Sequence, residues 1–169
     1  MFLDESRCNT DMTRRYAYSL GGSRAVDSAP LSKPKNTTIL SSIQFDGTLR
    51  YTTFSGGTTV ERFKRYLETD LLPHLNGNSV LIMDNMKSHH AKAVKNLLDS
   101  SEIRYIYLPP YSPDLNPIEK LWSKVKSFLR KFKARTLDAL PNTIQCAFQT
   151  VSPSNCSGWF HSCGYSPYF

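Results

Sequence analysis

The N-terminal third of this chain of 169 residues alternates apolar and polar residues in the way that strands do. The segment MFLDES is a short apolar run and predicts a first strand. NTTILSSIQFDGTLRYTTF carries β-branched and apolar residues on both sides of Asp46-Gly47, which predicts a hairpin with this pair as its two-residue turn. RRYAYSL is a further candidate strand. This region is therefore expected to supply antiparallel strands.

From residue 58 onward, helical periodicity alternates with continuous apolar runs. The runs SVLIMDN and IRYIYLPP predict strands that are buried on both faces. Four segments have the spacing of amphipathic helices: TTVERFKRYLETDLLPHL, HHAKAVKNLLDSS, PIEKLWSKVKSFLRKF and TLDALPNTIQCAFQTV. The residues predicted to face the core from the second and third of them are Ala93, Val94, Leu97 and Leu98, then Ile118, Leu121, Trp122, Val125, Phe128, Leu129 and Phe132. The tail CSGWFHSCGYSPYF has no usable period and is expected to be irregular.

This order of elements predicts an α/β fold, with a mixed sheet and helices on both of its faces. No linker divides the chain, so residues 1–169 are expected to form a single domain. Sheets of this kind bind ligands at the carboxyl ends of their strands. Two acids are expected there, because Asp4 ends or nearly ends the first strand and Asp84 ends VLIMD.

Composition excludes several classes of protein. The 40% hydrophobic content is that of a folded protein, and there is no apolar run of the length that spans a membrane. The first residues, MFLDESR, have an acid at position 4 and no apolar run like that of a signal peptide, so the four cysteines are expected to be reduced thiols. A zinc site formed by Cys156, His161 and Cys163 is an alternative with poor ligand spacing.

The net charge of +7 is concentrated in one segment. Between Pro117 and Arg135 there are seven basic residues and one acid, Glu119. A basic stripe of this kind favours a polyanion as partner. The alternative is a lysine-rich helix face that is simply solvated.

Glu119 follows a loop with four prolines in nine residues, PPYSPDLNP. One interpretation is structural: Asn116 is the N-cap, Pro117 is the first helical residue, and Glu119 completes a motif similar to a capping box. The other is chemical, because a stiff loop fixes a carboxylate that must meet other carboxylates. Three acids from distant segments are typical of a site for Mg²⁺, which takes oxygen ligands. Asp4, Asp84 and Glu119 are then expected to converge within metal-bridging distance.

Three motifs carry a resemblance to a known family. FLDES contains Asp4, LIMDNMKSHHA contains Asp84, and LPPYSPDLNPIEKLW contains Glu119, with 34 residues between the last two acids. The closing GWFHSCGY also fits. Together they resemble the catalytic half of DDE transposases from the bacterial insertion-sequence branch of the mariner superfamily.

This resemblance implies a ribonuclease H-like fold and metal-dependent DNA strand cleavage and strand transfer. Asp4, Asp84 and Glu119 are the implied catalytic residues and metal ligands, for Mg²⁺ or alternatively Mn²⁺, with two ions expected. Glu5 alternates with Asp4 along the strand, so one of them is expected to face the site, and the motif favours Asp4. The implied partners are double-stranded DNA, of both transposon ends and target, and a second copy of the chain, and no membrane is involved. The implied location is the nucleoid in the cytoplasm of a bacterium.

Candidate DNA contacts are Lys120, Lys124, Lys131, His89 and Asn85. The family usually carries an N-terminal helix-turn-helix region, which this sequence is expected to lack, so a separate subunit is the expected source. The alternative function is that of a truncated or repurposed transposase fragment that binds DNA without catalysis.

Overall fold

The computed structural model describes residues 1–14, 16–28 and 34–166, which are built around a mixed five-stranded sheet. Its strands are β1 (Phe2–Asn9), β2 (Asn36–Ile43), β3 (Leu49–Ser55), β4 (Val80–Met83) and β5 (Arg104–Tyr107). Their order across the sheet is β3-β2-β1-β4-β5. Strand β2 is antiparallel to both of its neighbours, β1 and β3, whereas β1, β4 and β5 are parallel to one another. The mixed sheet expected from the sequence is confirmed.

The described residues form five α-helices around this sheet: α1 (Val60–Tyr66), α2 (Lys92–Ser100), α3 (Ile118–Phe132), α4 (Ala139–Gln149) and α5 (Pro153–Ser162). Helix α1 begins after Thr59, whose hydroxyl accepts a hydrogen bond from the Arg62 backbone N–H at 3.3 Å. It runs on into a π turn, Leu67–Leu71, and a 3₁₀ turn, Leu72–His74. Within the described ranges, no helix has the length and apolar character needed to cross a bilayer.

Each face of the sheet has its own hydrophobic core. Successive side chains of a strand point to opposite faces, so Phe2 and Leu3 of β1 belong to different cores. Phe2 packs with residues of α3, α4 and α5, among them Trp122 and Phe160. Leu3 packs with residues of α1 and α2, among them Phe63. The helices thus cover both faces, as predicted.

Three strand predictions needed correction. The hairpin loop has five residues, 44–48, closed by a hydrogen bond from the Gln44 backbone N–H to the Thr48 carbonyl at 2.8 Å, and Asp46-Gly47 is only its centre. Strand β5 is an edge strand with Ile106 55% exposed, so it is not buried on both faces. The candidate strand RRYAYSL includes Arg15, which lies outside the described residues, and residues 14 and 16–20 form no strand.

The helix predictions also needed correction at three points. The tail is not irregular, because α5 begins with a reciprocal cap: the Ser152 hydroxyl accepts from the Asn155 N–H at 3.3 Å, and the Asn155 amide oxygen accepts from the Ser152 N–H at 3.1 Å. Ala93 is exposed, since the core face of α2 centres on Val94 and Leu98. Phe132 is 56% exposed, because it lies in the last turn of α3, where the helix extends past the core.

Candidate active site

The pairing of β1 with β4 brings the first two acids together. Phe2 lies opposite Ile82 and Leu3 opposite Met83, so the next residues along the two parallel strands are Asp4 and Asp84. Strand β4 ends at Met83, whereas β1 continues to Asn9. Asp84 therefore follows its strand, as predicted, but Asp4 is the third residue of an eight-residue strand and does not end it.

Asp4 is a buried carboxylate on the α3 face of the sheet, 6% exposed. One oxygen accepts a hydrogen bond from the Glu5 backbone N–H at 2.7 Å. The other accepts from the Asn116 amide at 3.3 Å and from the Trp122 indole N–H at 3.2 Å. Burial, with repulsion from the carboxylates of Asp84 and Glu119, raises the pKa of Asp4 to about 7. This acid is thus fixed in place and held in an environment that disfavours its charge.

His89 connects the other two acids of the sheet. Its ring is fully buried and stacks on Phe63 at a centroid distance of 4.2 Å. Nδ1 lies 2.7 Å from Asp84 Oδ1 and Nε2 lies 3.2 Å from Glu5 Oε2. Burial acts to lower the pKa of His89, but the hydrogen bonds to Asp84 and Glu5 raise it to about 9. The imidazolium therefore donates to both carboxylates.

This contact also sets the charge of Asp84. Burial acts to raise the pKa of Asp84, but the hydrogen bond from His89 and the positive charge of that ring outweigh it, and the pKa lies below its ordinary value. Asp84 is consequently an ionised carboxylate whose orientation is held by a buried cation.

The proline-rich loop delivers the third acid. Pro113–Leu115 forms a 3₁₀ turn, and the Asn116 backbone N–H donates to the Pro113 carbonyl at 3.1 Å. That N–H is therefore not available to Glu119, and the Asn116 side chain turns toward Asp4. No side-chain cap hydrogen bond is present at the start of α3. The capping interpretation of Glu119 is wrong for this reason.

Asp4, Asp84 and Glu119 line one cleft of about 500 Å³ at this edge of the sheet. Glu5 and Asn85 line it as well. The Glu5 carboxylate contacts the buried ring of His89, which packs on Phe63. The Asp4 carboxylate contacts Trp122 on the other face of the sheet, so the two acids alternate along the strand as predicted. In the segments that the structure describes, no three or more His, Cys, Asp or Glu side chains are arranged to hold a metal ion. The acids share a cleft without closing into a ligand cluster, because His89 holds Asp84 while Trp122 and Asn116 hold Asp4. The alternative zinc ligands are likewise not assembled.

The chemistry of the cleft nevertheless fits a hard divalent cation. Its walls supply three carboxylates, which are the ligands that Mg²⁺ and Mn²⁺ prefer. Asn116 adds an amide oxygen that is buried and has no hydrogen-bond partner within the described residues. A buried acceptor without a donor is costly unless something else satisfies it. A cation or its bound water would do so.

The comparison with known sequences bears on the family. The model of the family described as DDE superfamily endonuclease matches residues 1–141. The chain belongs to this family. The Tc1 transposase of Caenorhabditis elegans is similar to the DDE domain, with 27% identity over 97 residues, which are 55% of this chain and 36% of that transposase. The Tcb2 transposase of Caenorhabditis briggsae is 31% identical over 75 residues, 44% of this chain and 28% of its own length.

The DDE domain also has the fold of a solved transposase. It superposes on the Mos1 transposase of a paired-end complex that contains a left transposon end. The TM-score is 0.80 at 19% identity, and the match covers 96% of this chain and 51% of that chain. A Mos1 paired-end complex with Mg gives a TM-score of 0.71 at 19% identity, with 96% and 51% covered. The ribonuclease H-like fold is confirmed. The chain spans about half the length of these structures and a smaller part of the curated relatives.

Among the five candidate DNA contacts of the DDE domain, one needs correction and a second is bonded within the protein. His89 is fully buried and bonded to protein carboxylates, so it does not reach DNA in this structure. Lys124 is half-buried, and its ammonium donates to the Thr150 carbonyl at 2.7 Å and to Asn155 Oδ1 at 2.6 Å. It therefore joins α3 to the start of α5.

The remaining three candidates are exposed. Asn85 lies at the cleft, where its amide oxygen contacts His90. Lys120 and Lys131 lie on one face of α3 and line a groove of about 730 Å³, together with Ser123 and Ser127. These two lysines are exposed basic residues of the stripe, and the groove that they line is open to a polyanion. Lys124 lines the same groove.

Sequence reasoning missed Asn116 and the indole of Trp122 as partners of Asp4. Trp122 was expected only in the core, and Asn116 only as a helix cap. One signal was available, since a tryptophan on a buried stripe needs an acceptor for its N–H. Nothing in the sequence indicated which acceptor that would be, because Asp4 lies 118 residues away.

Proposed function

We propose that this chain is the catalytic domain of a DNA transposase, which cleaves DNA strands and transfers them to a target with the help of divalent metal ions. The observation that carries the proposal is the shared cleft of Asp4, Asp84 and Glu119, which come from a strand, a strand end and a helix start. The membership of the DDE family supports it. So do the similar transposases, whose own complexes contain transposon ends and Mg.

The three acids share one role in this proposal, and neighbouring side chains support them. Asp4, Asp84 and Glu119 would hold Mg²⁺ or Mn²⁺, two ions in all, which would activate the attacking oxygen and stabilise the leaving oxygen of the phosphodiester. His89 keeps Asp84 ionised and directed along the sheet edge. Trp122 and Asn116 fix the carboxylate of Asp4 by hydrogen bonds. Asn85, on the rim, lies where DNA would enter.

The proposed substrate is double-stranded DNA, both transposon ends and target. Lys120 and Lys131 would contact its phosphates along α3, next to Glu119. The motifs and the 34 residues between Asp84 and Glu119 favour the bacterial insertion-sequence branch. The proposal also includes a separate helix-turn-helix subunit that recognises the ends, a homodimeric active complex, and action at the nucleoid in a bacterial cytoplasm.

A nicking assay tests the catalytic part of this proposal. The substrate is duplex DNA with the element's ends, and a helix-turn-helix region is supplied in trans. We expect wild-type nicking with Mg²⁺ or Mn²⁺ and none with a chelator. Asp84→Asn and Glu119→Gln should each lower the rate by at least about 100-fold, because a lost ligand costs more than a lost outer-shell partner. Asp138→Asn, an exposed acid that does not line the cleft, should keep the wild-type rate.

Wild-type DNA binding without nicking under all metal conditions would instead favour a fragment that binds DNA without catalysis. Equal nicking by wild type and Glu119→Gln would refute the assigned role of Glu119.

Salt dependence tests the DNA-binding face. Affinity for nonspecific duplex should fall steeply with salt, because phosphate contacts release counterions. Lys120→Ala and Lys131→Ala should each flatten the slope by about one unit. Lys92→Ala is the matched control, since Lys92 is an exposed lysine of α2 that does not line this groove, and it should keep the wild-type slope. Unchanged slopes for Lys120 and Lys131 would mean that this face is only solvated.

A further inference from the structure

Tyr111 lies at the entrance of the cleft that holds Asp4, Asp84 and Glu119, and both its exposure and its backbone conformation are uncommon. Its side chain is fully exposed, at 102% of the reference area, although the residue lines the same cleft as the three acids. Its backbone φ is +59°, in the left-handed region that residues with a Cβ rarely adopt. A tyrosine in this conformation is costly, and such outliers cluster at functional sites.

The loop that carries Tyr111 is fixed at both ends. On one side, the Leu108 N–H donates to the Met83 carbonyl at 2.8 Å and extends the sheet. On the other side, the Leu115 carbonyl accepts from the Tyr165 hydroxyl at 2.8 Å, and Asn116 is buried. Prolines at 109, 110 and 113 restrict the backbone in between. The loop therefore holds the backbone of Tyr111 at a defined place, from which the ring extends into solvent.

Nothing within the described residues explains this placement. Tyr111 has no hydrogen bond and no ring contact there. Two other tyrosines nearby are different: the Tyr105 hydroxyl donates to Asp99 at 2.9 Å, and the Tyr107 hydroxyl donates to the His89 carbonyl at 2.9 Å. A solvated aromatic ring on a restrained loop beside a cleft is a surface on which a planar ligand can stack.

We infer that Tyr111 stacks on an unpaired DNA base beside the phosphodiester that enters the cleft. This inference rests on the proposed function. The ring is uncharged and offers no cation to a phosphate, so its partner is the face of a base rather than the DNA backbone. Aromatic side chains bind unpaired bases of any sequence through their faces. Opening the duplex at this point would also let the neighbouring phosphodiester reach Asp4, Asp84 and Glu119 inside the cleft.

The test compares two duplexes that differ in one position, which is paired in one and mismatched in the other. Binding to the intact chain is measured by fluorescence anisotropy with a chelator present, so that cleavage plays no part. We expect the wild type to prefer the mismatched duplex by roughly 10-fold, within the range for stacking of one base. Tyr111→Phe should keep this preference and Tyr111→Ala should abolish it.

Two further variants separate the ring from the loop. Tyr111→Gly suits the left-handed backbone but has no ring, so it should fold at least as stably as wild type and still lose the preference. Tyr18→Ala removes another fully exposed ring that does not line the cleft, and it should behave as wild type.

Three results would overturn the inference: no mismatch preference in the wild type, an equal preference in Tyr111→Ala, or the same loss in Tyr111→Phe and Tyr111→Ala. If Tyr111→Ala keeps the preference but weakens self-association in sedimentation, the ring belongs to a contact between two copies. These results leave the nicking assay unaffected, so failure here differs from failure of the proposed function. A wild type that binds no DNA at all would overturn both.

Discussion

The two walls of the cleft differ in how they hold their charges. The sheet wall consists of Asp4, Glu5 and Asp84, with the buried His89 behind it, and the loop wall consists of residues 109–119. On the sheet wall, Asp4 and His89 are buried and every one of these side chains has a polar partner in the protein. On the loop wall, Glu119 and Tyr111 are exposed.

This difference in burial indicates that stability and function are coupled on the sheet wall and separable on the loop wall. A buried charge is costly unless partners compensate it, so a change on the sheet wall alters folding as well as chemistry. An exposed carboxylate costs little, so a change at Glu119 should alter chemistry alone. Substitutions on the two walls can therefore tell a ligand from a structural residue.

The largest expected effect on folding is at His89. His89→Ala leaves the carboxylates of Glu5 and Asp84 without their shared cation and should lower the free energy of unfolding at pH 6 by roughly 3 to 5 kcal/mol. The pKa of His89 is raised to about 9 in the fold, so its contribution is complete below pH 6.5 and is lost as the pH rises through 9. Denaturant unfolding from pH 6 to 10 measures this.

His90→Ala is the matched control for that series. His90 follows His89 in the sequence, but it is only partly buried, and it contacts Asn85 and the ring of Tyr107 rather than an acid. It should reproduce the pH dependence of the wild type. A pH dependence in His89→Ala equal to that of the wild type would contradict the assigned cation.

A smaller effect is expected at Asp4. Burial and the neighbouring carboxylates raise its pKa to about 7, so the folded state retains a proton that the unfolded chain releases near pH 4. Without divalent metal, the stability of the wild type relative to Asp4→Asn should therefore fall by roughly 3 kcal/mol between pH 4 and 7 and then stay level. Parallel stability curves for the two proteins would show that Asp4 is not a strained buried acid.

The smallest effect is expected at Glu119. Glu119→Gln should change the free energy of unfolding by less than about 1 kcal/mol, the value of a typical N-cap, since no side-chain cap is formed at this helix start. Thermal unfolding of wild type and variant at one pH measures it. A larger loss would mean that the loop wall depends on this carboxylate for folding.

Much of the fold could be predicted from hydrophobic periodicity, and the exceptions have physical causes. The pattern of α3 identified five buried residues, because a helix packed on a sheet must show an apolar stripe. Strand β5 was predicted to be buried because three of its four residues are aliphatic or aromatic. The order of strands decides which strand lies at an edge, and a local sequence pattern does not contain that order. Helix α5 was missed because its signal is the cap at Ser152, not its periodicity.

The candidate site could be predicted in part. The three acids could be named from motifs, and they line one cleft. Their supporting contacts could not be named, because the partners of Asp4 and Asp84 depend on which elements pack together. Asn116 shows this most clearly: its side chain suits a helix cap, but the 3₁₀ turn before it directs that side chain to Asp4.

Binding of Mn²⁺ tests the central claim most directly, namely that Asp4, Asp84 and Glu119 form one metal site across both walls. Calorimetric titration of the folded wild type should show saturable binding, and Asp4→Asn, Asp84→Asn and Glu119→Gln should each weaken it by at least about 10-fold, while Asp138→Asn leaves it unchanged. Wild-type Mn²⁺ affinity in Glu119→Gln would contradict the account, because the loop would then deliver its carboxylate for some purpose other than metal binding.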